Sequence, residues 1–228
     1  MSVVNNPPPE PDELLELHTG DRMTQAEFHR VYRQMPAHFR AELIGGVVYV
    51  ASTLKRQHGA NHLPLGTLFF TYEMGTPGVE SGDNATILLG EASEPQPDLY
   101  LRVLPEFGGQ SRTTADDYVA GGPELLAEIA LSSRSIDLHG KREDYARFGV
   151  GEYLVVCLRE RVVRWFDLRQ DRELQADAGV IRVQSFPGLW IDVEALLTKD
   201  SRLMDVLRQG LSSPEHAAFV ARLQANRG

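Results

Sequence analysis

One acidic residue lies inside the most apolar part of the chain. The stretch from Glu124 to Leu131 is almost continuously apolar, and Glu128 stands in its middle. A run of this kind predicts a central strand that is covered on both faces. Burying an unpaired carboxylate is unfavourable, so Glu128 needs a cationic partner, a metal ion or a raised pKa. A structural salt bridge would meet the same need, and Glu128 alone leaves both interpretations open.

A lysine further along the chain is a candidate partner for that acid. Residues Asp137 to Phe148 are predicted to form a helix, in which Leu138, Lys141 and Tyr145 share one stripe facing the sheet. Many lysines at such positions extend their ammonium group into solvent. Because the loop before this helix is short, however, Lys141 can reach back over the end of the strand that holds Glu128.

A second carboxylate begins the preceding strand. Asp98 follows Pro97, and the apolar residues Leu99, Leu101 and Val103 alternate after it. Such a sequence also suits a turn, so Asp98 alone is weak support for a site. Two carboxylates on neighbouring strands supply the oxygen ligands that Mg²⁺ prefers, and a bound cation can activate water and neutralise phosphate charge. A lysine beside them can orient that water or stabilise the developing anion, so the set suits phosphodiester hydrolysis.

Two further residues are candidates for the same site. Glu42 lies at the start of an apolar strand, where a third carboxylate could bind the metal or hold a water molecule. It could equally be a surface residue at a strand end. His58 lies near a helix start and could contact a phosphate group, although histidines at such positions are often structural or exposed.

The remaining patterns predict an α/β fold. A helix opens at Thr24, which has capping-box spacing to Glu27. The stretch from Glu42 to Val50 is predicted to be a strand with a Gly45-Gly46 turn inside it, and Gln57 to Tyr72 to be a helix. Further strands are predicted over residues 85–89, 97–103, 153–158, 162–168 and 180–183, with a loop over 105–122 and two short helices near the C-terminal end.

Length and composition suit one domain with extensions. The chain has 228 residues, of which 42% are hydrophobic and 24% charged, an ordinary globular mixture that can bury a core. We expect a proline-rich, disordered tail over residues 1–22, the α/β domain over 23–199 and a helical extension over 200–228. The formal net charge of −9 argues mildly against a surface that coats nucleic acid, but it allows a local basic groove.

Several classes of protein are disfavoured by the sequence. Cys157 is the only cysteine, so an internal disulfide is excluded and a cytoplasmic location is the simplest expectation. No apolar stretch approaches the ~20 residues of a membrane span, and the N-terminus does not resemble a secretory signal. Gly-rich phosphate-binding loops, paired-cysteine zinc spacing, HExxH and Gly-x-Ser-x-Gly motifs are also missing from the sequence.

A series of short motifs occurs in a fixed order. They are Met23-Thr24, Glu42-Leu43-Ile44-x-Gly46, Gln96-Pro97-Asp98, Ala127-Glu128-Ile129, Asp137-Leu138-x-x-Lys141, Gly149-Val150-x-Glu152-Tyr153 and Pro187-Gly188-Leu189. Over residues 23–197 this set resembles the Uma-two family of restriction-endonuclease-like proteins, within the PD-(D/E)XK nuclease superfamily.

The resemblance implies a restriction-endonuclease-like mixed sheet flanked by helices, with extra N-terminal and C-terminal helices. It also implies Mg²⁺-dependent cleavage of DNA, with Mn²⁺ as a substitute. By the same resemblance Asp98 and Glu128 are the metal carboxylates and Lys141 is the catalytic lysine. Glu42 matches an N-terminal acidic position, and His58 matches a histidine of the second helix.

The sequence departs from the pattern at three places. The superfamily has its lysine at the second position after the glutamate, which is Ala130 here. The family often has Ser-Pro-Ser-Thr after the glutamate, where this chain has a different run from Leu131 to Ser135. An aspartate often follows the Glu-Leu-Ile motif, where this chain has Gly45. The metal acids are intact, whereas the geometry of substrate binding is in question.

Three functional hypotheses follow from these observations. The first is a Mg²⁺-dependent endonuclease that acts on DNA. The second is a catalytically weak or inactive module with a nuclease fold, which binds nucleic acid or has a regulatory role. The acidic net charge and the altered loop after Glu128 favour this hypothesis. The third is an interaction domain, in which the proline-rich tail or the amphipathic segment around Phe219, Val220 and Leu223 docks a partner; a homodimer is left open.

Overall fold

The computed structural model describes residues 16–51, 55–131 and 133–227. The strands are β1 (Ala41–Ile44), β2 (Val47–Val50), β3 (Val79–Asp83), β4 (Ile87–Leu88), β5 (Leu99–Val103), β6 (Arg112–Thr113), β7 (Val119–Ala120), β8 (Leu125–Ala130), β9 (Glu152–Cys157), β10 (Val162–Asp167), β11 (Arg172–Leu174), β12 (Val180–Arg182) and β13 (Trp190–Asp192). The α-helices are α1 (Gln25–Tyr32), α2 (Arg56–Met74), α3 (Arg142–Arg147), α4 (Val193–Thr198), α5 (Arg202–Leu211) and α6 (Pro214–Asn226).

A six-stranded mixed sheet forms the centre of the fold. Its strand order is β11-β10-β9-β8-β5-β3. Neighbouring strands are antiparallel except for β8 and β9, which are parallel and pair from Leu125 with Glu152 to Ala130 with Cys157. Every residue of β8 and β9 is buried, as their nearly continuous apolar sequences predict.

The parallel pair requires a crossover connection, and that connection carries the lysine. A chain that leaves one end of a strand must return to the other end before a parallel neighbour can begin. Here a π-helical turn over Ile136–Lys141 runs directly into α3, and the two cover the sheet between β8 and β9. The apolar side chains of Leu138 and Tyr145 bury this helical segment, which leaves Lys141 on the same buried face.

Helices cover the opposite face of the sheet. α2, α4, α5 and α6 contribute buried side chains to one large core, among them Phe69, Leu196, Leu207 and Phe219. A smaller core forms where α1 packs on the β1–β2 hairpin through Phe28 and Val48. Among the described residues, no helix is long and apolar enough to cross a membrane.

The sequence-based description of the elements misses β3, β11 and β13, and it needs three further corrections. Residues 105–122 are more than a loop, because they contain a 3-10 turn at Pro105–Phe107 and the strands β6 and β7. Residues 42–50 form two strands, since Gly45 and Gly46 adopt positive φ angles and reverse the chain. Three helices instead of two follow β13.

The predicted disordered tail over residues 1–22 lies partly outside the described residues, which begin at residue 16. Within the described part, Leu17 is buried and the Gly20 amide donates to the Val48 carbonyl oxygen at 2.8 Å. These contacts attach residues 16–22 to the β1–β2 hairpin.

Two helix glycines provide a matched test of the packing. A Cβ at Gly210 of α5 would overlap the Gly188 carbonyl oxygen, whereas a Cβ at Gly59 of α2 would meet nothing within 4 Å. We expect Gly210→Ala to lower the free energy of unfolding by about 1–3 kcal/mol because the backbones must separate. Gly59→Ala should raise it by about 0.5–1 kcal/mol because alanine favours the helix. Urea unfolding measures both, and an equal effect of the two changes would contradict the α5 packing.

Candidate active site

All five residues predicted from the sequence line one cavity. The cavity has a volume of about 410 Å³ and lies between the β1–β2 hairpin, the start of α2, the ends of β5 and β8, and the π-helical turn. The predicted residues that it brings together are Glu42, His58, Asp98, Glu128 and Lys141. The structure therefore places residues that are up to 99 positions apart in sequence within one pocket.

Lys141 is the central charge of this cavity. Its side chain is 5% exposed, and its Nζ donates to Glu128 Oε1 at 2.9 Å. The same Nζ forms an ion pair with Glu42 Oε1 at 2.8 Å and lies 3.9 Å from Asp137 Oδ1. Three acids from three different elements thus surround one buried ammonium group.

The position of Glu128 is fixed by two donors from the same helical segment. In addition to Lys141, the Tyr145 hydroxyl donates to Glu128 Oε1 at 3.0 Å. Lys141 and Tyr145 lie about one turn apart on the buried face, as the predicted stripe requires. The buried acid of the strand and the inward-facing lysine therefore meet, as the sequence predicts.

Asp98 is held by the sheet and by α2. Its Oδ2 accepts the backbone N–H of Ile129 at 2.7 Å, which ties it across to β8. His58 Nε2 lies 3.1 Å from the same oxygen, and His62 Nε2 donates to the Asp98 carbonyl oxygen at 2.8 Å. His62, one turn after His58 on α2, was missed in the sequence, although its spacing places both histidines on one helix face.

The pKa directions follow from burial and charge. Burial alone would lower the pKa of Lys141, but Glu128, Glu42 and Asp137 outweigh it and raise that pKa well above its usual value. Burial would raise the pKa of Asp98, but the hydrogen bond and charge of His58 outweigh it and lower that pKa. The hydrogen bond to Asp98 in turn raises the pKa of His58. Lys141 is therefore a permanent cation, and Asp98 favours its charged form.

Asp137 is a member of the cavity that the sequence-based site omits. It is 1% exposed, and its Oδ2 accepts from Ser133 Oγ at 2.5 Å. Burial raises the pKa of Asp137 to about 6, against the opposing charge of Lys141. Asp137 stands four positions before Lys141, on the same helix face, so helical periodicity could have identified it.

In the buried part of the cavity, the acids outnumber the cations that contact them. Glu42, Asp98, Glu128 and Asp137 are four acids, and Lys141 and His58 are the cationic side chains that contact them. Burial raises the pKa of Glu128 despite the ammonium of Lys141, which shows that this environment opposes further negative charge. A divalent cation would relieve that excess.

The side-chain chemistry fits Mg²⁺, although the ligands are not preassembled. Among the described residues, no three His, Cys, Asp or Glu side chains are arranged as a ready metal cluster. Mg²⁺ commonly takes one or two carboxylates and keeps several waters, so two acids are sufficient. Asp98 and Glu128 use one oxygen each for the hydrogen bonds described above, and each has a second oxygen to offer.

Comparison with known proteins identifies the family and supports the fold. Residues 25–194 match the model of the Uma2 family, which is described as "Putative restriction endonuclease". The fold is similar to a solved structure of a "putative nuclease belonging to DUF820" from Anabaena variabilis, with a TM-score of 0.58 and 12% sequence identity over 74% of this chain and 96% of that one. At this identity the solved structure supports the fold alone. No curated protein matches the chain significantly.

Removing the central ammonium should destabilise the fold in a pH-dependent way. Lys141→Met leaves Glu128 and Glu42 without their cation, which should lower the free energy of unfolding by about 3–5 kcal/mol at pH 8. In this variant the acids lose the charge that favours their ionised forms, and burial already raises the pKa of Glu128. The loss should therefore shrink as the pH falls and they take up protons.

Urea unfolding at pH 8 and pH 5.5 measures this effect. Arg147→Met, at an exposed position of α3, is the control and should change stability by no more than about 0.5 kcal/mol. Glu128→Gln combined with Lys141→Met should recover part of the loss. A Lys141→Met variant as stable as the wild type at pH 8 would contradict the buried ion cluster.

Proposed function

The chain belongs to the Uma2 family of restriction-endonuclease-like proteins, and on that premise we propose that it is a Mg²⁺-dependent endonuclease that hydrolyses DNA phosphodiester bonds. One observation carries the proposal. Two strand-borne carboxylates, Asp98 and Glu128, share a cavity with the buried ammonium of Lys141. This combination of residues suits a hard cation, an attacking water and a negatively charged transition state.

Asp98 and Glu128 are the residues that would hold Mg²⁺, with Mn²⁺ as a substitute. When bound, the metal supplies Lewis acidity at the phosphate and lowers the pKa of water. Asp98 is suited to this role because its backbone and histidine contacts keep it charged and fixed in direction. His58 acts in this proposal by positioning Asp98, and it lines the same cavity.

Lys141 is proposed to orient the attacking water and to stabilise negative charge that develops on the phosphate. Its ammonium has three N–H groups. Two of them face Glu128 and Glu42, and the third is left for water or substrate. Glu42 is itself held by the backbone N–H of Gln96, which donates to Oε1 at 2.7 Å. Glu42 therefore supports the lysine from the β1–β2 hairpin.

The acidic net charge does not prevent local contacts with DNA. Arg40 and Lys55 also line the cavity and can meet phosphates on either side of the scissile bond. Arg102 does not line the cavity, and it donates instead to Glu80 and to Thr113. Binding that depends on few cations should be weak, and its affinity should fall only gradually with salt concentration.

We expect the protein to convert supercoiled plasmid DNA to open and linear forms in the presence of Mg²⁺ or Mn²⁺. Asp98→Asn, Glu128→Gln and Lys141→Met should each lower the rate by at least about 100-fold, since each removes a group that acts on the transition state. Chelation by EDTA should stop the reaction. Gel electrophoresis of time courses, with linear and single-stranded substrates alongside, provides the measurement.

Glu143→Gln is the matched control, because Glu143 is an exposed acid on the helix that carries Lys141. Its rate should equal that of the wild type. A wild-type protein that cleaves no DNA or RNA with any divalent metal would overturn the proposal. Salt-dependent DNA binding without turnover, unchanged by Lys141→Met, would instead favour the non-catalytic module.

A further inference from the structure

One buried carboxylate oxygen of a cavity-lining residue lacks a hydrogen-bond donor among the described residues. Asp137 Oδ1 is buried, and no hydrogen-bond donor among the described residues reaches it. Its other oxygen, Oδ2, accepts from Ser133 Oγ. A buried oxygen without a donor is unfavourable in a resting protein, so it requires an explanation. The oxygen belongs to a residue that lines the cavity beside the proposed reaction centre.

The nearest cation to this oxygen is the ammonium of Lys141. Their separation is 3.9 Å, which is too long for a direct hydrogen bond. A water molecule admitted between the two groups would accept from the third N–H of Lys141 and donate to Asp137 Oδ1. The lysine and the aspartate would then hold opposite sides of one water.

We propose that Asp137 is the general base of this site and accepts a proton from the water that attacks the phosphodiester. This role rests on the proposed nuclease function. In the step, the water oxygen forms a bond to phosphorus while the bond from phosphorus to the leaving deoxyribose oxygen breaks. The water's proton moves to Asp137 Oδ1, and the leaving oxygen takes a proton from solvent. Asp137 then returns its proton to solvent.

The other acids of the cavity are less suited to this task. Asp98 and Glu128 are the proposed metal ligands, and Glu42 Oε1 pairs with Lys141 and accepts from the backbone N–H of Gln96. A general base is most effective when its pKa lies near the working pH, and burial raises that of Asp137 to about 6. The charged groups that face it are those of Lys141, Glu42, Asp98, Glu128 and His58.

The first test is the pH profile of kcat/KM for plasmid cleavage. For the wild type, the rate should rise with pH as Asp137 loses its proton and should level off above its pKa. Asp137→Asn keeps the shape of the side chain but cannot accept the proton. We expect Asp137→Asn to lower kcat/KM by about 100-fold to 10,000-fold. The variant should also lose the acid limb, which is the rise of kcat/KM with pH below the pKa of Asp137. Glu143→Gln should retain both the rate and the limb.

A second variant keeps the role testable if Asp137→Asn does not fold. Ser133→Ala removes the donor to Asp137 Oδ2 and should raise the pKa of Asp137. The acid limb of the pH profile should move to higher pH. An unmoved limb would overturn the role.

Mn²⁺ binding, measured by calorimetry without DNA, separates a base from a metal ligand. Asp137→Asn should change the Mn²⁺ affinity less than about 3-fold, whereas Asp98→Asn should weaken it more than about 10-fold. Equal weakening by both variants would make Asp137 a ligand and overturn the base role. If the wild type cleaves DNA and Asp137→Asn has the same pH profile of kcat/KM, only the general-base role of Asp137 is overturned. If the wild type does not cleave DNA, the nuclease proposal and the general-base role are both overturned.

Discussion

The buried ammonium of Lys141 is the interaction on which the site depends. Glu42, Glu128 and Asp137 come from a hairpin, a central strand and a helical turn, and their carboxylates approach one another inside the protein. Without a cation between them, their mutual repulsion and the loss of hydration would force these elements apart or protonate the acids. A single lysine therefore joins three parts of the chain as well as serving the proposed chemistry.

The position of that lysine is in turn fixed by the topology of the sheet. β8 and β9 are parallel, so the chain must cross the sheet between them, and the crossover helix brings its buried face over the end of β8. Asp98 is positioned independently, through the backbone of Ile129 and the histidines of α2. The acids of the sheet and the lysine of the helix are thus held by separate parts of one packed core, which limits their relative motion.

The sequence predicts the residues of the site better than it predicts their atomic roles. Glu128 and Lys141 stand out because each breaks an apolar pattern, and periodicity alone indicates that they face each other. Asp98, Glu42 and His58 came largely from ordered family motifs, and the structure brings all three into the cavity. Asp137 shares the helix face of Lys141, yet its significance depends on one oxygen that no donor in the described part of the chain reaches, which only atomic positions reveal.

The secondary structure elements also differ in how well the sequence predicts them. Long, strongly patterned elements such as β8, β9, β10 and α2 follow from local sequence. The short strands β6 and β7 do not, because they pair with each other and with β4 through contacts that are set by the folded structure. Their two-residue length gives too little pattern for periodicity to detect.

The π-helical turn at Ile136–Lys141 also constrains how this sequence can change over evolution. A π-helical turn holds one more residue than an α-helical turn. Deleting a residue there would restore the ordinary helix and shorten the spacing from Asp137 to Lys141 from four residues to three. The side chains of Asp137 and Lys141 would then enter the cavity at altered angles. Insertions and deletions should therefore be selected against in this segment, while the exposed turn around Arg159 and Glu160 tolerates them.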